Sequence, residues 1–475
     1  MMEAALQTLF LSRFGVKPET AAPLLAHGSA RKLWRLAAGD RSVIGAYGPD
    51  RQENRAFLAF SRHFRAQGLK VPEILAEDEV KGIYLEEDLG DTTLFEFLAA
   101  RRKGADLTEE VLAAYRSVVR ELPRFQIDAG RTLDYSLCYP RPAFDRQSMV
   151  WDLNYFKYYF LRLAKIPFDE QALEDDFQRF ADFLLAAPRD FFLYRDFQSR
   201  NVMLRGGEPW FIDYQGGRKG ALQYDIASLL VDAKADLPFE VRDELLARYL
   251  EAAAARAPLD KEGFLRFFPG FVHIRIMQAM GAYGLRGFYE GKTQFLQSIP
   301  YAIRNLERLL RTTELPLELP ALEGVWRRLV ASSALRQLGS ASLKLTVRVQ
   351  SFSYKNGLPV DDRGHGGGFV FDCRAMPNPG KEERFAALTG RDKPVAEYLE
   401  GRAEVARFLE AVEALLGQTV ESYKARNFTD LFVGFGCTGG QHRSVYCAER
   451  VAKLLRKKHG VAVELAHREL GKRSR

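Results

Sequence analysis

The chain has 475 residues, of which 47% are hydrophobic and 28% are charged. This composition is typical of a folded globular protein and excludes a disordered or low-complexity chain, and at about 100–200 residues per domain the length predicts more than one domain. The net charge is +7, and residues 341–475 account for all of it with 23 Lys and Arg against 16 Asp and Glu. Residues 450–475 alone carry nine basic and two acidic side chains, which predicts a polyanionic partner at this end.

The cysteine content argues against a secreted, disulfide-bonded protein and against a structural zinc site. Cys138, Cys373, Cys437 and Cys447 lack paired spacing, so neither a disulfide framework nor a zinc site is predicted. No apolar run reaches the about 20 residues that a membrane helix needs, and the start of the chain lacks a basic segment before its apolar stretch. We therefore expect a cytoplasmic protein without a membrane partner.

The first hundred residues alternate between strand and helix patterns. Two strands are predicted at 33–36 and 43–47, joined by a turn at Gly39-Asp40. A helix with apolar spacing follows at 53–67, then a strand at 82–85 and a helix at 91–100. A β-rich start of this kind predicts the smaller lobe of a two-lobed domain.

The chain then becomes mainly helical. Periodic segments run through 107–125, 147–163, 169–185, 239–255 and 261–283, and they predict an α+β domain of two lobes over residues 1–312. Residues 313–342 are predicted as a linker. The remaining part, 343–475, predicts a smaller α/β domain with strands at 344–353, 369–373 and 431–435 and helices at 394–399, 404–416 and 444–458.

A constellation of polar residues typical of kinases lies in the first domain. Asp196 is followed five residues later by Asn201, and Asp213 ends an apolar stretch twelve residues further on. In a kinase the first Asp accepts the proton of the acceptor hydroxyl, while the Asn and the second Asp bind Mg²⁺ beside the ATP phosphates. A helix cap and a turn would also explain Asp196 and Asn201, but not the trailing Asp213 after an apolar strand.

Residues 5–310 resemble the aminoglycoside-phosphotransferase-type kinases, and in particular the bacterial anomeric kinases of N-acetylmuramate and N-acetylglucosamine. The resemblance rests on the motifs Tyr-Arg-Asp-Phe-Gln-Ser-Arg-Asn (194–201) and Ile-Asp-Tyr-Gln-Gly-Gly-Arg-Lys-Gly-Ala-Leu-Gln-Tyr-Asp-Ile-Ala-Ser-Leu-Leu (212–230). It implies that Asp196 is the catalytic base and that Asn201 and Asp213 bind Mg²⁺. It also implies an ATP site formed by Gly28, Ser29, Ala30 and Arg31 over the nucleotide and by Glu86 and Asp88 in the hinge 85–89, with Asp225 bracing the catalytic loop.

Two features depart from the usual kinase pattern. The strand at 43–47 has no lysine to pair with the α- and β-phosphates, so Glu53 on the following helix loses its usual partner. Arg31, Lys32 and Arg35 are the candidates to replace that charge. Tyr194 also stands where a typical catalytic loop has a histidine.

A second constellation lies near the end of the chain. An apolar strand leads into Gly-Cys-Thr-Gly-Gly-Gln-His-Arg-Ser (436–444) and then a helix, a geometry that aims backbone N–H groups and the helix dipole at an anion. The predicted anion or sugar-phosphate site comprises Cys437, Thr438, Gly439, Gly440, His442, Arg443 and Ser444. Cys437 and Arg443 also have the Cys-x₅-Arg spacing of cysteine phosphatases, which keeps a nucleophilic role for the thiol open.

Residues 344–470 resemble the C-terminal domain of RapZ, the RNase adapter family. The motifs are Ser-Phe-Ser-Tyr-Lys-Asn-Gly-Leu-Pro (351–359), Phe-Asp-Cys-Arg (371–374), Pro-Asn-Pro (377–379), Leu-Thr-Gly-Arg-Asp-Lys-Pro-Val (388–395) and Gly-Cys-Thr-Gly-Gly-Gln-His-Arg-Ser-Val (436–445). The resemblance implies a domain that senses an amino-sugar phosphate and binds small RNA, although Gly380 replaces a histidine after Pro-Asn-Pro. The basic helix contributes the predicted RNA-binding residues Lys453, Arg456, Lys457 and Lys458.

Together these features predict an ATP- and Mg²⁺-dependent kinase of an amino sugar in cell-wall recycling, with a regulatory C-terminal domain. The alternative is an adapter that binds nucleotide or sugar without turnover, and the missing strand lysine favours it. A kinase for an aminoglycoside antibiotic is a third, weaker alternative. The sequence leaves the sugar, the oligomeric state and any communication between the domains open.

Overall fold

We analysed the protein in a computed structural model that describes residues 2–24, 31–102, 107–338, 345–359, 368–425 and 430–470. The chain divides into two compact units. Residues 1–281 and 301–332 form the first unit, and residues 282–300 and 333–475 form the second. Each unit is described by itself.

The first unit begins with a helix and a five-stranded sheet. In chain order its elements are α1 (Met2–Phe14), β1 (Thr20–Leu24), β2 (Lys32–Ala38), β3 (Arg41–Tyr47), α2 (Arg51–Ala66), β4 (Ile74–Asp78) and β5 (Ile83–Glu87). The strand order is β1-β2-β3-β5-β4, and every neighbouring pair is antiparallel. The predicted hairpin is confirmed, with Leu36 opposite Val43 and Gly39 in the left-handed region at φ +56°.

Local sequence explains where α2 begins and which face it buries. The Asp50 side chain accepts hydrogen bonds from the N–H groups of Gln52 and Glu53 at 2.9 and 3.1 Å, which caps the helix. Phe57, Phe60 and Phe64 are buried, as their spacing predicts. This face therefore holds the helix, and the Glu53 that it carries, at a fixed position beside the sheet.

The rest of the chain up to residue 338 is mainly helical. Its elements are α3 (Leu94–Arg101), α4 (Glu109–Pro123), α5 (Arg146–Tyr155), α6 (Glu170–Leu185), β6 (Phe191–Leu193), β7 (Val202–Arg205), β8 (Glu208–Phe211), β9 (Arg218–Gly220), α7 (Gln223–Leu230), α8 (Phe239–Ala254), α9 (Lys261–Tyr283), α10 (Thr293–Leu296), α11 (Ile299–Thr312), α12 (Pro320–Ala331) and α13 (Ser333–Gln337). Strand β6 pairs with β9 and β7 with β8, both antiparallel. The predicted kinase-like α+β fold with two lobes is confirmed.

One aromatic core joins the sheet and α2 to the catalytic region of the helical lobe. The Phe57 ring stacks on Tyr214 at 5.1 Å between centroids, and Phe64 packs edge-on against Phe125 at 5.0 Å. The Tyr214 hydroxyl also lies 2.6 Å from the buried hydroxyl of Ser61 on α2. Large buried aromatic contacts of this kind fix the position of one lobe against the other.

The structure corrects the predicted linker. Residues 320–331, within the stretch predicted as a linker, form α12, which packs on α6 with Trp326 only 1% exposed. The N–H of Leu322 donates to the buried carboxylate of Asp176 at 2.8 Å. The residues around Trp326 have helical spacing, but the sequence does not show where this helix packs, because Leu322 and Asp176 are 146 positions apart.

The second unit contains a parallel sheet. Its main elements are β10 (Thr346–Ser353), β11 (Gly368–Asp372), α14 (Lys393–Glu400), α15 (Ala403–Ala425), β12 (Asp430–Cys437), α16 (Arg443–Leu454) and β13 (Ala462–His467). The strand order is β11-β12-β10-β13, with all pairs parallel. The three predicted strands are confirmed, and the analysis missed β13, whose residues alternate between half-buried and exposed. Among the described residues, no helix combines the length and apolarity that crossing a bilayer requires.

A buried histidine makes the stability of the first unit depend on pH. His273 on α9 is 2% exposed, stacks on Trp326 at 4.1 Å and hydrogen-bonds the Pro269 carbonyl through Nδ1. Burial lowers the pKa of His273 to about 4, although the Pro269 carbonyl opposes this shift. An unfolded chain has a histidine pKa of about 6.5. Below that pH the unfolded state therefore takes up a proton that the folded state does not, and stability is lost as the pH falls towards 4.

We expect this effect to cost about 2 kcal/mol at pH 5 relative to pH 7. Denaturant titration at both pH values should show a smaller loss of unfolding free energy in His273→Gln than in the native chain. The control is His63→Gln, which changes a partly exposed histidine. Equal losses in all three proteins would contradict the assignment.

Candidate functional site

The catalytic loop after β6 is fixed by a buried carboxylate. Asp225 on α7 accepts hydrogen bonds from the backbone N–H groups of Tyr194 and Arg195 at 2.8 and 3.0 Å, and from Gln126 Nε2 at 2.9 Å. Burial raises the pKa of Asp225 to about 7, against the opposing effect of these three donors. Its contacts are those of a bracing residue, as the sequence predicts. The backbone leading into Asp196 is therefore held in one conformation.

The three predicted catalytic and metal-binding residues lie together. Asn201 Nδ2 donates to the Asp196 carbonyl at 2.9 Å and to Asp213 Oδ2 at 3.0 Å. The other carboxylate oxygen of Asp213 accepts from Gln215 Nε2 at 2.7 Å, and Asp213 has a positive φ of 67°. Tyr194 follows β6 and Ile212 follows β8. Tyr194 Oη donates to the Ile212 carbonyl at 2.6 Å, which links these two segments of the site.

The charges of this cluster suit a divalent cation. Burial, and then the negative charge of Asp196, raise the pKa of Asp213. A cation bound near Asp213 would offset both the cost of burying its negative charge and the repulsion from Asp196. The described residues contain no group of three or more His, Cys, Asp or Glu side chains that could hold a metal by themselves. Mg²⁺ does not require one, because in phosphoryl-transfer sites it is usually bound by one or two carboxylates together with phosphate oxygens and water.

A cavity of about 370 Å³ opens beside this cluster. Its walls come from the sheet, α2, the start of α3 and the catalytic loop; the lining residues are Arg31, Leu33, Phe57, Tyr84, Glu86, Thr93, Phe95, Glu96, Gln198, Arg200, Asn201, Ile212 and Asp213. Four of the residues predicted to bind ATP or metal, Arg31, Glu86, Asn201 and Asp213, therefore line one cavity. Gly28, Ser29 and Ala30 lie outside the described residues.

Asp88, also predicted to bind ATP, is engaged elsewhere. Its carboxylate accepts from Arg35 Nε at 2.7 Å and from Ser42 Oγ at 2.5 Å, and it does not line the cavity. The ion pair joins the end of β5 to the β2–β3 hairpin. Asp88 thus shapes the hinge and does not present its side chain to a ligand in the cavity.

Arg31 supplies the positive charge that the β3 strand lacks. Its Nη2 lies 3.3 Å from Glu53 Oε1, and its guanidinium sits over the Phe57 ring at 5.1 Å. Burial opposes its charge, but Tyr84, Glu53 and Asp213 together hold the pKa of Arg31 above its usual value. The expectation that Glu53 lacks a partner is therefore wrong. The neighbouring candidates do not fill this place, because Lys32 is exposed and Arg35 pairs with Asp88.

On the other side of Asp196 lies a buried ion pair that the sequence analysis missed. Arg195, with φ 85°, contacts Asp152 on α5 through two hydrogen bonds of 2.6 and 2.7 Å and Tyr224 Oη through one of 2.9 Å. Arg218 donates to the Gly216 carbonyl at 3.0 Å beside it. Two charges 43 residues apart carry no sequence signal, since their pairing depends on how α5 packs.

In the second unit, the strand–loop–helix geometry predicted for an anion site is present. Strand β12 ends at Cys437, and α16 begins at Arg443. Thr438 and Gly439 are exposed at the tip of the loop, and a Cβ on Gly439 would meet no atom within 4 Å. The loop is anchored from below by Ser353 Oγ, which donates to the Thr438 carbonyl at 2.7 Å. Thr438 and Gly439 are therefore the part of this site that is open to a ligand.

The predicted side-chain donors of this loop face the protein. Arg443 is 5% exposed, and its Nη1 donates to the carbonyls of Arg374 and Met376 at 2.9 and 3.0 Å. His442 Nε2 lies 2.9 Å from the Phe385 carbonyl. Cys437 is buried with its Sγ 3.1 Å from Ser444 Oγ, and Gly440, at φ +63°, is buried as well. This arrangement does not support a phosphatase, in which the thiol and the arginine must both face the phosphate.

The predicted RNA-binding residues divide into two pairs. Lys458 lies 2.5 Å from Glu413, and Arg456 Nη2 donates to the Val463 carbonyl at 3.0 Å. Lys453 and Lys457 are exposed. All four side chains are nevertheless exposed, and an exposed ion pair such as that of Lys458 is weak, so these contacts leave the basic surface accessible.

Comparison with known proteins identifies both halves of the chain. The profile of the phosphotransferase enzyme family matches residues 23–264, and that of the RapZ C-terminal domain matches residues 345–471. A nucleotide-binding protein of Thioalkalivibrio sulfidiphilus is 42% identical over 136 residues, which cover 29% of this chain and 45% of that protein. The RNase adapter protein RapZ of Serratia proteamaculans is 40% identical over 138 residues, 29% of this chain and 46% of that protein. This chain thus spans less than half the length of these relatives.

Solved structures also resemble the chain. The choline kinase LicA of Streptococcus pneumoniae aligns with a TM-score of 0.43 and 14% identity over 65% of this chain and 98% of that one. The ADP-bound aminoglycoside phosphotransferase APH(2'')-Ib aligns with a TM-score of 0.41 and 11% identity over 70% of this chain and 99% of that one.

The position of Arg31 leads to a testable consequence for nucleotide affinity. Replacing its guanidinium by the neutral Arg31→Met should weaken binding of Mg²⁺–AMP-PNP about tenfold, because a charge-assisted hydrogen bond contributes about 1.5–3 kcal/mol. Arg31→Lys should retain most of the affinity, since it keeps the charge beside Glu53. Titration calorimetry measures both, with Lys32→Met, a neighbouring exposed cation, as the control. If Arg31→Met binds as tightly as Lys32→Met, Arg31 does not contact the phosphates.

Proposed function

The chain belongs to the phosphotransferase enzyme family, and we propose that it transfers the γ-phosphoryl group of ATP to a hydroxyl group of an amino sugar, of the N-acetylmuramate or N-acetylglucosamine type. Mg²⁺ is the proposed metal. The C-terminal domain is proposed to bind an amino-sugar phosphate and so to report on the product of the first domain.

The observation that carries the proposal is the single side chain of Asn201 hydrogen-bonded to both Asp196 and Asp213. These two bonds hold the backbone of Asp196 against the side chain of Asp213, so the residues proposed as base and metal ligand are neighbours. Among the described residues, no donor lies within hydrogen-bond distance of the Asp196 carboxylate, so it is available to a substrate hydroxyl. An acceptor in line with the γ-phosphate would be oriented by Asp196, which takes its proton as the new P–O bond forms.

The residues proposed to bind the nucleotide and its metal lie at the same cavity. Asp213 and the Asn201 side-chain oxygen would hold Mg²⁺, which neutralises phosphate charge when bound. Arg31, held by Glu53 and Phe57, would contact the α- and β-phosphates in the way that the strand lysine does in other kinases. This replacement weakens the case for a non-catalytic adapter, because the missing lysine was the feature that favoured it.

The decisive experiment measures ADP release by the full chain with ATP and Mg²⁺. The acceptor panel is N-acetylmuramate, N-acetylglucosamine, glucosamine and kanamycin. We expect turnover of an N-acetylated amino sugar, and a loss of about 10²–10⁴-fold in kcat in Asp196→Asn, since a positioned base contributes that much.

A matched control is Asp190→Asn, which makes the same chemical change six residues earlier at a carboxylate that is 90% exposed. Its kcat should equal that of the native chain. Phosphorylation of kanamycin alone would show instead that the enzyme is a kinase for an aminoglycoside antibiotic. Nucleotide binding without turnover of any acceptor would establish the adapter function instead.

For the second unit, we propose that the exposed backbone of Thr438 and Gly439 binds the phosphate of the sugar phosphate. Backbone N–H groups ahead of a helix N-terminus suit this role, and they remain free to act even though Arg443 is buried. The proposal is confined to the phosphate.

This part is tested by placing a negative charge at the loop tip. Gly439→Asp should weaken binding of N-acetylglucosamine 1-phosphate at least tenfold by repulsion, and the site has room for the side chain. Gly439→Asn has nearly the same shape without the charge and should bind almost as the native chain does. Calorimetry with inorganic phosphate as a second probe checks both variants. Equal binding by the Asp and Asn variants would show that the phosphate lies elsewhere.

A further inference from the structure

Arg218, at the start of β9, is a buried cation for which the described residues supply no ion pair. It is 6% exposed. Its Nε donates to the Gly216 carbonyl at 3.0 Å and its Nη2 to the Tyr139 carbonyl at 3.5 Å, while no described residue accepts a hydrogen bond from Nη1. Buried charges are normally paired, so a buried arginine held only by neutral carbonyls points to a ligand that supplies the opposite charge.

The carboxylate that acts on Arg218 from within the protein is already used. Both oxygens of Asp152 accept from Arg195, at 2.6 and 2.7 Å. Burial, and then the positive charge of Arg195, lower the pKa of Arg218 to about 10, and Asp152 opposes this shift only in part. Arg218 is thus protonated at neutral pH, and two guanidinium groups share one carboxylate. This cluster has one positive charge in excess.

The unpaired charge lies close to the proposed catalytic base. A Cβ on Gly216 would stand 4.0 Å from Asp196 Oδ2, so the turn that carries Gly216 borders that carboxylate. Because Arg218 is bonded to the carbonyl of the same glycine, covalent geometry places its Nε no more than about 10 Å from Asp196 Oδ2. A substituted amino sugar is long enough to present a hydroxyl to Asp196 and a second group to Arg218.

We propose that Arg218 binds a carboxylate of the acceptor, so that the site prefers an acidic amino sugar to a neutral one. This inference rests on the proposed function, because it places the acceptor at Asp196. A guanidinium donates to a carboxylate through two parallel N–H groups, a geometry that no hydroxyl matches. N-acetylmuramate carries a carboxylate on its lactyl ether, and N-acetylglucosamine has a hydroxyl at that position.

Arg218 is therefore a specificity-determining residue. A site that pairs a buried charge with one group of the substrate discriminates against an analogue that lacks the group, because the charge is then left unpaired. The discrimination arises at Arg218 and not at Asp196, since both sugars present hydroxyl groups to the base.

The test measures equilibrium binding of N-acetylmuramate and N-acetylglucosamine to the full chain with Mg²⁺ and AMP-PNP, so that it does not depend on turnover. The native chain should bind N-acetylmuramate at least tenfold more tightly. Arg218→Met should weaken N-acetylmuramate about tenfold and leave N-acetylglucosamine unchanged, which removes the preference. Arg218→Lys keeps the charge without the fork, and it should show a reduced preference.

Lys219→Met is the matched control, because it removes the charge of the next residue, whose side chain is 41% exposed and pairs with Asp190. It should keep the native preference. Thermal melting identifies a variant that does not fold, and if Arg218→Met is one, the reduced preference of Arg218→Lys decides.

The ratio of the two affinities separates this role from a structural one, in which loss of Arg218 would weaken both sugars alike. Equal affinity of the native chain for the two sugars, or an unchanged ratio in Arg218→Met, would overturn the proposal. Selective binding of N-acetylmuramate without phosphoryl transfer would sustain this inference while refuting the proposed reaction. Turnover with a preference for N-acetylglucosamine would do the reverse.

Discussion

The carboxylate of Asp225 lies beneath the catalytic loop, where it accepts hydrogen bonds from two consecutive backbone N–H groups, those of Tyr194 and Arg195. The position of Asp196, the proposed catalytic base, depends on that contact. Arg195 adopts a positive φ of 85°, a conformation that costs free energy for a residue with a side chain and persists only where its surroundings enforce it. Asp225 from below and Asp152 at the guanidinium supply that enforcement, and Asp196 follows directly in the chain.

Arg31, which is proposed to replace the strand lysine, brings its charge to the cavity from the start of the neighbouring strand. Strands β2 and β3 are adjacent and antiparallel, so the beginning of β2 lies against the end of β3, with Lys32 opposite Tyr47. Arg31 precedes that pair and reaches Glu53 on α2 across it. An arginine also stacks on Phe57, which a lysine would do less well because its charge is not planar. The position of the charge relative to Glu53 and Asp213, and not the strand that carries it, is what the site requires.

The sequence predicted the repeating structure and the catalytic trio because both depend on short-range spacing. Helix α2 follows from its phenylalanine periodicity, and Asp196, Asn201 and Asp213 lie within eighteen residues of one another. Contacts between distant segments left no such trace: the Arg195–Asp152 pair and the docking of α12 on Asp176 appear only in three dimensions. The Cys-x₅-Arg spacing left a nucleophilic role of Cys437 open for a related reason, because a loop that turns its arginine inwards to the carbonyls of Arg374 and Met376 has the same spacing as one that turns it outwards.

The balance of charge around the cavity explains why nucleotide and cation must act together. The negative charges of Glu53, Glu86 and Asp213 act on one arginine of this cavity, Arg31, and the guanidinium of Arg200 is stacked on Phe95 at 4.1 Å. Free ATP is itself strongly negative, so it would enter a cavity that repels it. A divalent cation bound to the phosphates removes most of that charge and meets the paired carboxylates with the opposite sign. Under the proposed function, this balance of charge would favour the metal complex of the nucleotide over the bare nucleotide.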